Sequence, residues 1–182
     1  ERMFQLKAEE KGVTLRVEQG PDVPRYVRTD EGKLRQVLIN LLNNAIKFTD
    51  QGSVTLISRS NREPGQDGKR TLHFAVVDTG AGISPDELDQ LFEVFIQTRI
   101  GRISQQGTGL GLPISRKFIQ LMGGDISVSS AVDRGSTFEF DIQVITRNAS
   151  VTKTGGKPRV LALAPGQPEI RILIADDNRE NR

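Results

Sequence analysis

Three groups of residues along this chain have the types and spacing to do chemistry. The first is Asn40, Asn44 and Lys47. At about 100° per residue on a helix they fall within roughly 60° of one another. An Asn carbonyl is a neutral hard oxygen, suited to a Mg²⁺ that keeps most of its waters and binds substrate phosphates, and a Lys offers a point charge to a phosphate. A solvated polar helix face would carry the same stripe, although Asn is a poor helix former to repeat mid-helix. The second group is Val77-Asp78-Thr79-Gly80-Ala81-Gly82-Ile83. An acid at the end of an apolar strand, followed by two glycines one residue apart, makes a tight turn open to close backbone approach. The carboxylate can accept a hydrogen bond from an exocyclic amine such as that of adenine; a plain strand-to-helix turn is the simpler alternative. The third is Gly107-Thr108-Gly109-Leu110-Gly111-Leu112. Three alternating glycines free backbone N–H groups to meet an anion, and a helix N-terminus adds its dipole. The run is neither a Rossmann fingerprint nor a Walker A loop, and a flexible loop would also explain it.

The elements that must position these residues follow from periodicity. A helix is expected over about Asp30–Lys47, with Leu34, Val37, Leu38, Leu41, Leu42, Ala45 and Ile46 spaced at three and four, and Thr29 or Asp30 as its cap. The apolar stripe is centred about 130° from the Asn-Asn-Lys stripe, so the helix can bury one and present the other. Residues 1–11 read as the end of a helix stopped near Gly12. Val13–Glu18, Ser53–Arg59 and Thr71–Val77 read as strands. Ser84-Pro85-Asp86-Glu87 is a helix start with Ser84 as cap, Pro85 at the first position and Glu87 closing a capping box. Residues 98–107 lack apolar periodicity and read as an exposed loop. A helix then runs to about Met122 and ends at Gly123-Gly124. Asp125–Ser130 and Ser136–Ile145 form a hairpin, with Phe138, Phe140, Ile142 and Val144 on one face. The expected fold class is a two-layer α/β sandwich, its sheet mixed but largely antiparallel, with helices on one face.

Composition narrows the function classes. The 182 residues hold one ordinary domain and little more. The 36% apolar content supports a packed core. With 25 basic and 23 acidic residues interspersed, no basic groove is available for nucleic acid, so no nucleic-acid partner is expected. There is no cysteine, hence no disulfide and no thiolate site, which suits a cytoplasmic setting. No apolar run approaches the ~20 residues of a membrane span. The chain opens mid-phrase without an initiator Met, so a longer parent is expected, and a membrane anchor elsewhere in that parent stays open.

Taken together, the three groups resemble the ATP-binding catalytic domain of sensor histidine kinases, in the superfamily shared with gyrase, mismatch-repair ATPases and the heat-shock chaperone ATPase. LINLLNNAIKFT (38–49) resembles the N box, DTGAGIS (78–84) the G1 box, LFEVFIQ (91–97) the F box and GTGLGLPIS (107–115) the G2 box. Val94 departs from the usual Pro. The resemblance covers roughly residues 5–145 and implies a Bergerat-type fold. ATP would lie between the long helix and a lid over 98–107. Asp78 would bond the adenine amine, with Gly80, Gly82, Ile83, Phe95 and Thr137 around the nucleotide. Asn44, with Asn40, would reach Mg²⁺. Asn40 and Lys47 would serve catalysis, Lys47 touching phosphate. Gly109, Leu110, Gly111 and Leu112 would line the phosphates with backbone groups, Gly107 and Thr108 would also bind the nucleotide, and Arg99 and Arg102 would be lid partners.

The resemblance also implies an organisation: 1–11 the end of a helical dimerisation and phosphoacceptor domain, 12–146 the catalytic domain, 147–169 a linker with a short strand, and 170–182 the start of a receiver. Ile170–Asn178, with the acidic pair Asp176-Asp177, resembles a receiver's first strand; the sequence stops before a receiver's phosphoacceptor. The expected partners are therefore the parent's helical domain and a receiver domain or response regulator, in a homodimeric two-component phosphorelay. The single histidine, His73, sits in the apolar strand LHFAVV and reads as a packed strand residue, not as the acceptor. Two alternatives stay open: a non-kinase ATPase module of the same superfamily, and a degenerate sensor that binds nucleotide but transfers nothing.

Overall fold

The computed structural model describes residues 2–61, 68–94 and 109–146, all within one compact unit spanning Glu1–Ala149. The elements are α1 (Arg2–Lys11), β1 (Val13–Gln19), β2 (Val27–Arg28), α2 (Glu31–Phe48), β3 (Gly52–Ser60), β4 (Lys69–Asp78), α3 (Pro85–Leu88), α4 (Gly111–Leu121), β5 (Ile126–Ala131) and β6 (Gly135–Thr146). The linker, the short apolar runs beyond it and the receiver-like segment lie outside the described residues.

The sheet runs β1-β3-β4-β6, with β2 and β5 both on the far edge of β6. β5 covers its first half, from Gly135 to Phe140, and β2 pairs only with Ile145 and Thr146. β1 and β3 are parallel, because α2 lies between them in sequence as a crossover. The other pairs are antiparallel. The two-residue β2 is too short to show an alternating pattern, and the sequence reading misses it.

Alternation sorts the sheet into two faces. Val54, Leu72, Val76, Phe138, Phe140, Ile142 and Val144 are buried on one face and form a single cluster with Phe4 and Ala8 of α1, Val37, Leu41, Leu42, Ala45 and Ile46 of α2, and Ile119 of α4. The Phe74 and Phe140 rings stack across β4 and β6, 5.0 Å between centroids. The helices therefore occupy one face, as patterning requires, and the other carries Ile57, Arg59, His73, Ala75, Val77, Thr137, Glu139 and Asp141.

Local chemistry fixes the helix ends. Asp30 caps α2 by accepting from the Lys33 N–H at 3.0 Å. At the far end the Lys11 ammonium, carried in from α1, donates to the Ile46 carbonyl at 3.1 Å and to that of Lys47, and pairs with Asp50 at 3.1 Å. Thr49, fully buried, donates to the Ala45 carbonyl at 2.8 Å. The start of α3 differs from expectation. The Ser84 hydroxyl donates to the Glu87 carboxylate at 2.7 Å instead of accepting from a backbone N–H, and the helix lasts four residues. Side chain bonds to side chain, so the reciprocal capping box is not formed.

Candidate functional site

At the end of the apolar sheet face one row of side chains is polar. Asp78 on β4 stands opposite Ser136 on β6, and Ser136 opposite Ser130 on β5. The next row inward is Val76, Phe138 and Val128. Asp78 is 6% exposed, yet its Oδ1 accepts from the Gly80 N–H at 2.9 Å and the Ser136 N–H at 3.2 Å. Both bonds fall on one oxygen, and among the described residues Oδ2 accepts no hydrogen bond, which leaves it to a ligand donor. Burial pushes the carboxyl above the usual carboxylate range, against the pull of the Gly80 and Ser136 N–H groups.

The loop after Asp78 is clamped from both sides. The Ala81 N–H donates to the Phe48 carbonyl at 3.3 Å, at the end of α2, and the Ala81 carbonyl accepts from the Asp133 N–H at 2.8 Å, in the β5–β6 turn. Gly82 has φ +68°, and a Cβ there would run into the Ala131 carbonyl. A Cβ on Gly80 would meet the Phe48 carbonyl. Only glycines let the loop pass this close.

The second half of the site is where α4 meets α2. A Cβ on Gly111 would strike the Asn40 amide. That amide in turn donates to the Ser115 hydroxyl at 2.9 Å. The cap residue of α4 is Leu110, whose apolar side chain makes no cap hydrogen bond. Thus α2 spans the site: its last turn abuts the Asp78 loop and its middle abuts the glycine run, about 12 Å apart at 1.5 Å per residue.

The predicted residues therefore divide. Asp78, Gly80, Gly82 and Ile83 gather at one end; Asn40, Leu110, Gly111 and Leu112 gather at the other, with Gly109 leading in at φ +70°. Asn44 is half-buried on α2 between them, and among the described residues its amide has no side-chain hydrogen bond. Lys47 extends over the Phe48 ring, 4.7 Å from its centroid, one residue from the contact with the Asp78 loop. Thr137 is not brought in. It pairs with Val77 on the outer face of the sheet, because side chains alternate and Ser136 takes the inner position beside Asp78. Phe95, Arg99, Arg102, Gly107 and Thr108 lie outside the described residues, as does the lid segment 98–107.

Sequence reasoning missed Ser115, Ser130 and Ser136. Each is a polar residue at a position whose phase is apolar: Ser136 two before Phe138, Ser130 two after Val128, and Ser115 four before Ile119. That phase break was the available signal.

Residues 29–146 match the family described as histidine kinase-, DNA gyrase B- and HSP90-like ATPases. The aerobic respiration control sensor protein ArcB of Escherichia coli K12 is 42% identical over 144 residues, covering 78% of this chain and 18% of that protein. The autoinducer 2 sensor kinase/phosphatase LuxQ of Vibrio parahaemolyticus is 32% identical over 182 residues, all of this chain and 21% of its own length. The chain thus spans about a fifth of these relatives. Among solved structures, full-length ShkA in complex with AMPPNP superposes with a TM-score of 0.67 at 33% identity, covering 81% of this chain and 29% of that one. The catalytic domain of the histidine kinase ThkA, nucleotide-free, gives 0.61 at 29% identity, covering 78% and 87%. No described helix is long and apolar enough to cross a membrane. With the polar row at one end of α2, the start of α4 at its middle and these matches, the chain belongs to the family of histidine kinase-, DNA gyrase B- and HSP90-like ATPases, as an ATP-binding catalytic domain of the sensor histidine kinase kind.

Proposed function

We propose that this domain binds ATP with Mg²⁺ and transfers the γ-phosphoryl group to a histidine on the helical dimerisation domain of a homodimeric hybrid kinase, for onward relay to a receiver or response regulator. The observation that carries the nucleotide reading is Asp78: a buried carboxylate with one oxygen saturated by the protein and the other unclaimed, at the end of an otherwise apolar face. Such a group is costly unless a donor completes it, and an adenine amine is a donor of the right kind. Ser136, on the same face, adds a hydroxyl beside it. At the other end, the Leu110–Leu112 backbone faces the phosphates.

Asn44 fits a metal that the nucleotide itself helps to hold. Among the described residues no cluster of three or more His, Cys, Asp or Glu could cage an ion. A neutral amide oxygen together with phosphate oxygens and waters is a Mg²⁺ environment in keeping with that ion's preference. Asn40 is committed through its NH₂ to Ser115, which makes it a brace between α2 and α4, with only its carbonyl oxygen available. The chemistry Mg²⁺ would supply is charge neutralisation at the β- and γ-phosphates. Lys47 would add a cation at the last turn of α2, and Arg99 and Arg102 two more from the lid.

Calorimetry with a non-hydrolysable ATP analogue tests the reading. The full chain should bind in the presence of Mg²⁺, and Asn44→Ala should lose the Mg²⁺-dependent part of the affinity while keeping the Mg²⁺-free part. No binding to the wild-type chain would refute the assignment.

A further inference from the structure

Ser130 is assigned no role by the nucleotide reading, yet it has the densest polar environment near the site. Its Oγ accepts from the Ile83 N–H at 2.8 Å, lies 2.8 Å from the Gly135 carbonyl and is 3.0 Å from the Ser136 Oγ. A hydroxyl has one proton and two lone pairs. The set closes in one way: Ile83 N–H and Ser136 O–H donate to Ser130, and Ser130 O–H donates to Gly135. Every group is satisfied, and three segments are pinned at one oxygen: the end of the Asp78 loop, the β5–β6 turn and the inner face of β6.

The consequence reaches Asp78 by two routes. Ser136, held by Ser130, donates its N–H to Asp78 Oδ1, and Gly135 packs against the Asp78 backbone so closely that a Cβ would collide with the Asp78 carbonyl. Ile83, held by Ser130, closes the loop whose Gly80 N–H donates to the same Oδ1. Both donors that orient the carboxylate therefore depend on segments fastened at Ser130. We propose that Ser130 is a positioning residue for base recognition: through Ile83 and Ser136 it fixes the direction of Asp78 Oδ2, and so sets discrimination for a purine with an exocyclic amine over one with a carbonyl. The proposal rests on the nucleotide reading above.

The test is a ratio, because a merely structural residue would weaken all nucleotides alike. Affinities of the full chain for ADP and for inosine diphosphate are measured by calorimetry with Mg²⁺. The wild type should prefer ADP by about tenfold or more, the order expected for one hydrogen bond to a charged group. Ser130→Ala should reduce that preference severalfold, whatever it does to absolute affinity, and Ser130→Thr, which keeps the hydroxyl, should restore it. Since alanine leaves the Ile83 N–H and the Gly135 carbonyl unmatched, Ser130→Cys serves as a second variant of nearly unchanged volume and weak hydrogen bonding, and should show the same narrowing. A wild-type preference retained in both Ser130→Ala and Ser130→Cys would overturn the assignment. Absence of nucleotide binding by the wild-type chain would instead remove the nucleotide reading, and this proposal with it.

Discussion

Asp78, the residue proposed to meet the adenine amine, opposes the fold that holds it. Burial raises its proton affinity in the folded chain, whereas the unfolded carboxyl titrates near about 3.9. Below that value both states carry the proton and the group costs nothing. As pH rises through the higher folded value, the folded state must hold a buried charge and stability is lost. Asp78→Asn cannot ionise and keeps an oxygen for the Gly80 and Ser136 N–H groups. The variant should therefore unfold at a higher temperature than wild type at pH 7 without nucleotide, with the gap closing toward pH 4. The same variant should bind ATP about ten- to a hundredfold more weakly, because an amide presents a donor where an acceptor is needed. Thermal unfolding at the two pH values checks the first half and calorimetry the second. A wild type at least as stable as the variant at pH 7 would contradict the burial argument. Equal ATP affinities would remove Asp78 from the site.

At the scale of elements, α2 carries the site and Lys11 of α1 closes its end. Two contributions can be separated by magnitude. Asp50 is 95% exposed, so its pairing with Lys11 is screened and worth little. The Ile46 and Lys47 carbonyls are helix-end acceptors with no intrahelical partner, and a cation there meets the negative end of the dipole. Lys11→Met should cost about 0.5–1.5 kcal/mol in urea unfolding, and Asp50→Asn less than about 0.5 kcal/mol; the reverse order would show that the ion pair dominates. Elements of this kind were legible in the sequence because their signals are local. The 3.6-residue apolar period gave α2, the pair Thr29-Asp30 before it offered the cap that Asp30 takes, and paired glycines gave the end of α4. What was not legible depends on pairs distant in sequence. Ser136, not Thr137, stands beside Asp78 through the register Asp78–Ser136, and the Asn40 NH₂ is tied to Ser115, 75 residues away. The motif order identified the family, but strand pairing decides which side chain at each motif faces the candidate site.

For the whole molecule, the sheet is a partition. Its helix face carries the Asp78 row and the Asn40–Gly111 junction, and its outer face carries the chain's only histidine. His73 is one strand position out of phase with Asp78, half-exposed, with Nδ1 hydrogen-bonded to Asp141 and Arg59 opposite on β3. Phosphoryl transfer depends on bringing the acceptor in line with the γ-phosphate. His73 could reach the helix face only if β4 were stripped from β3 and β6, which would unmake the site itself. On the proposed reading the acceptor comes from another domain, where the imidazole nitrogen would take the phosphoryl group, ADP would leave, and an acidic neighbour would take the proton. Incubated with Mg²⁺ and γ-labelled ATP, the chain should leave no acid-labile phosphate on itself, and should label a separately supplied helical domain from the same parent. The histidine of that domain gives its own control, since replacing it by Gln should abolish the label while nucleotide binding by this chain is untouched. Label on this chain that vanishes in His73→Gln would show that the partition does not hold. Binding of ATP with no label on the supplied domain would favour the alternative of a sensor that reads nucleotide without transferring it.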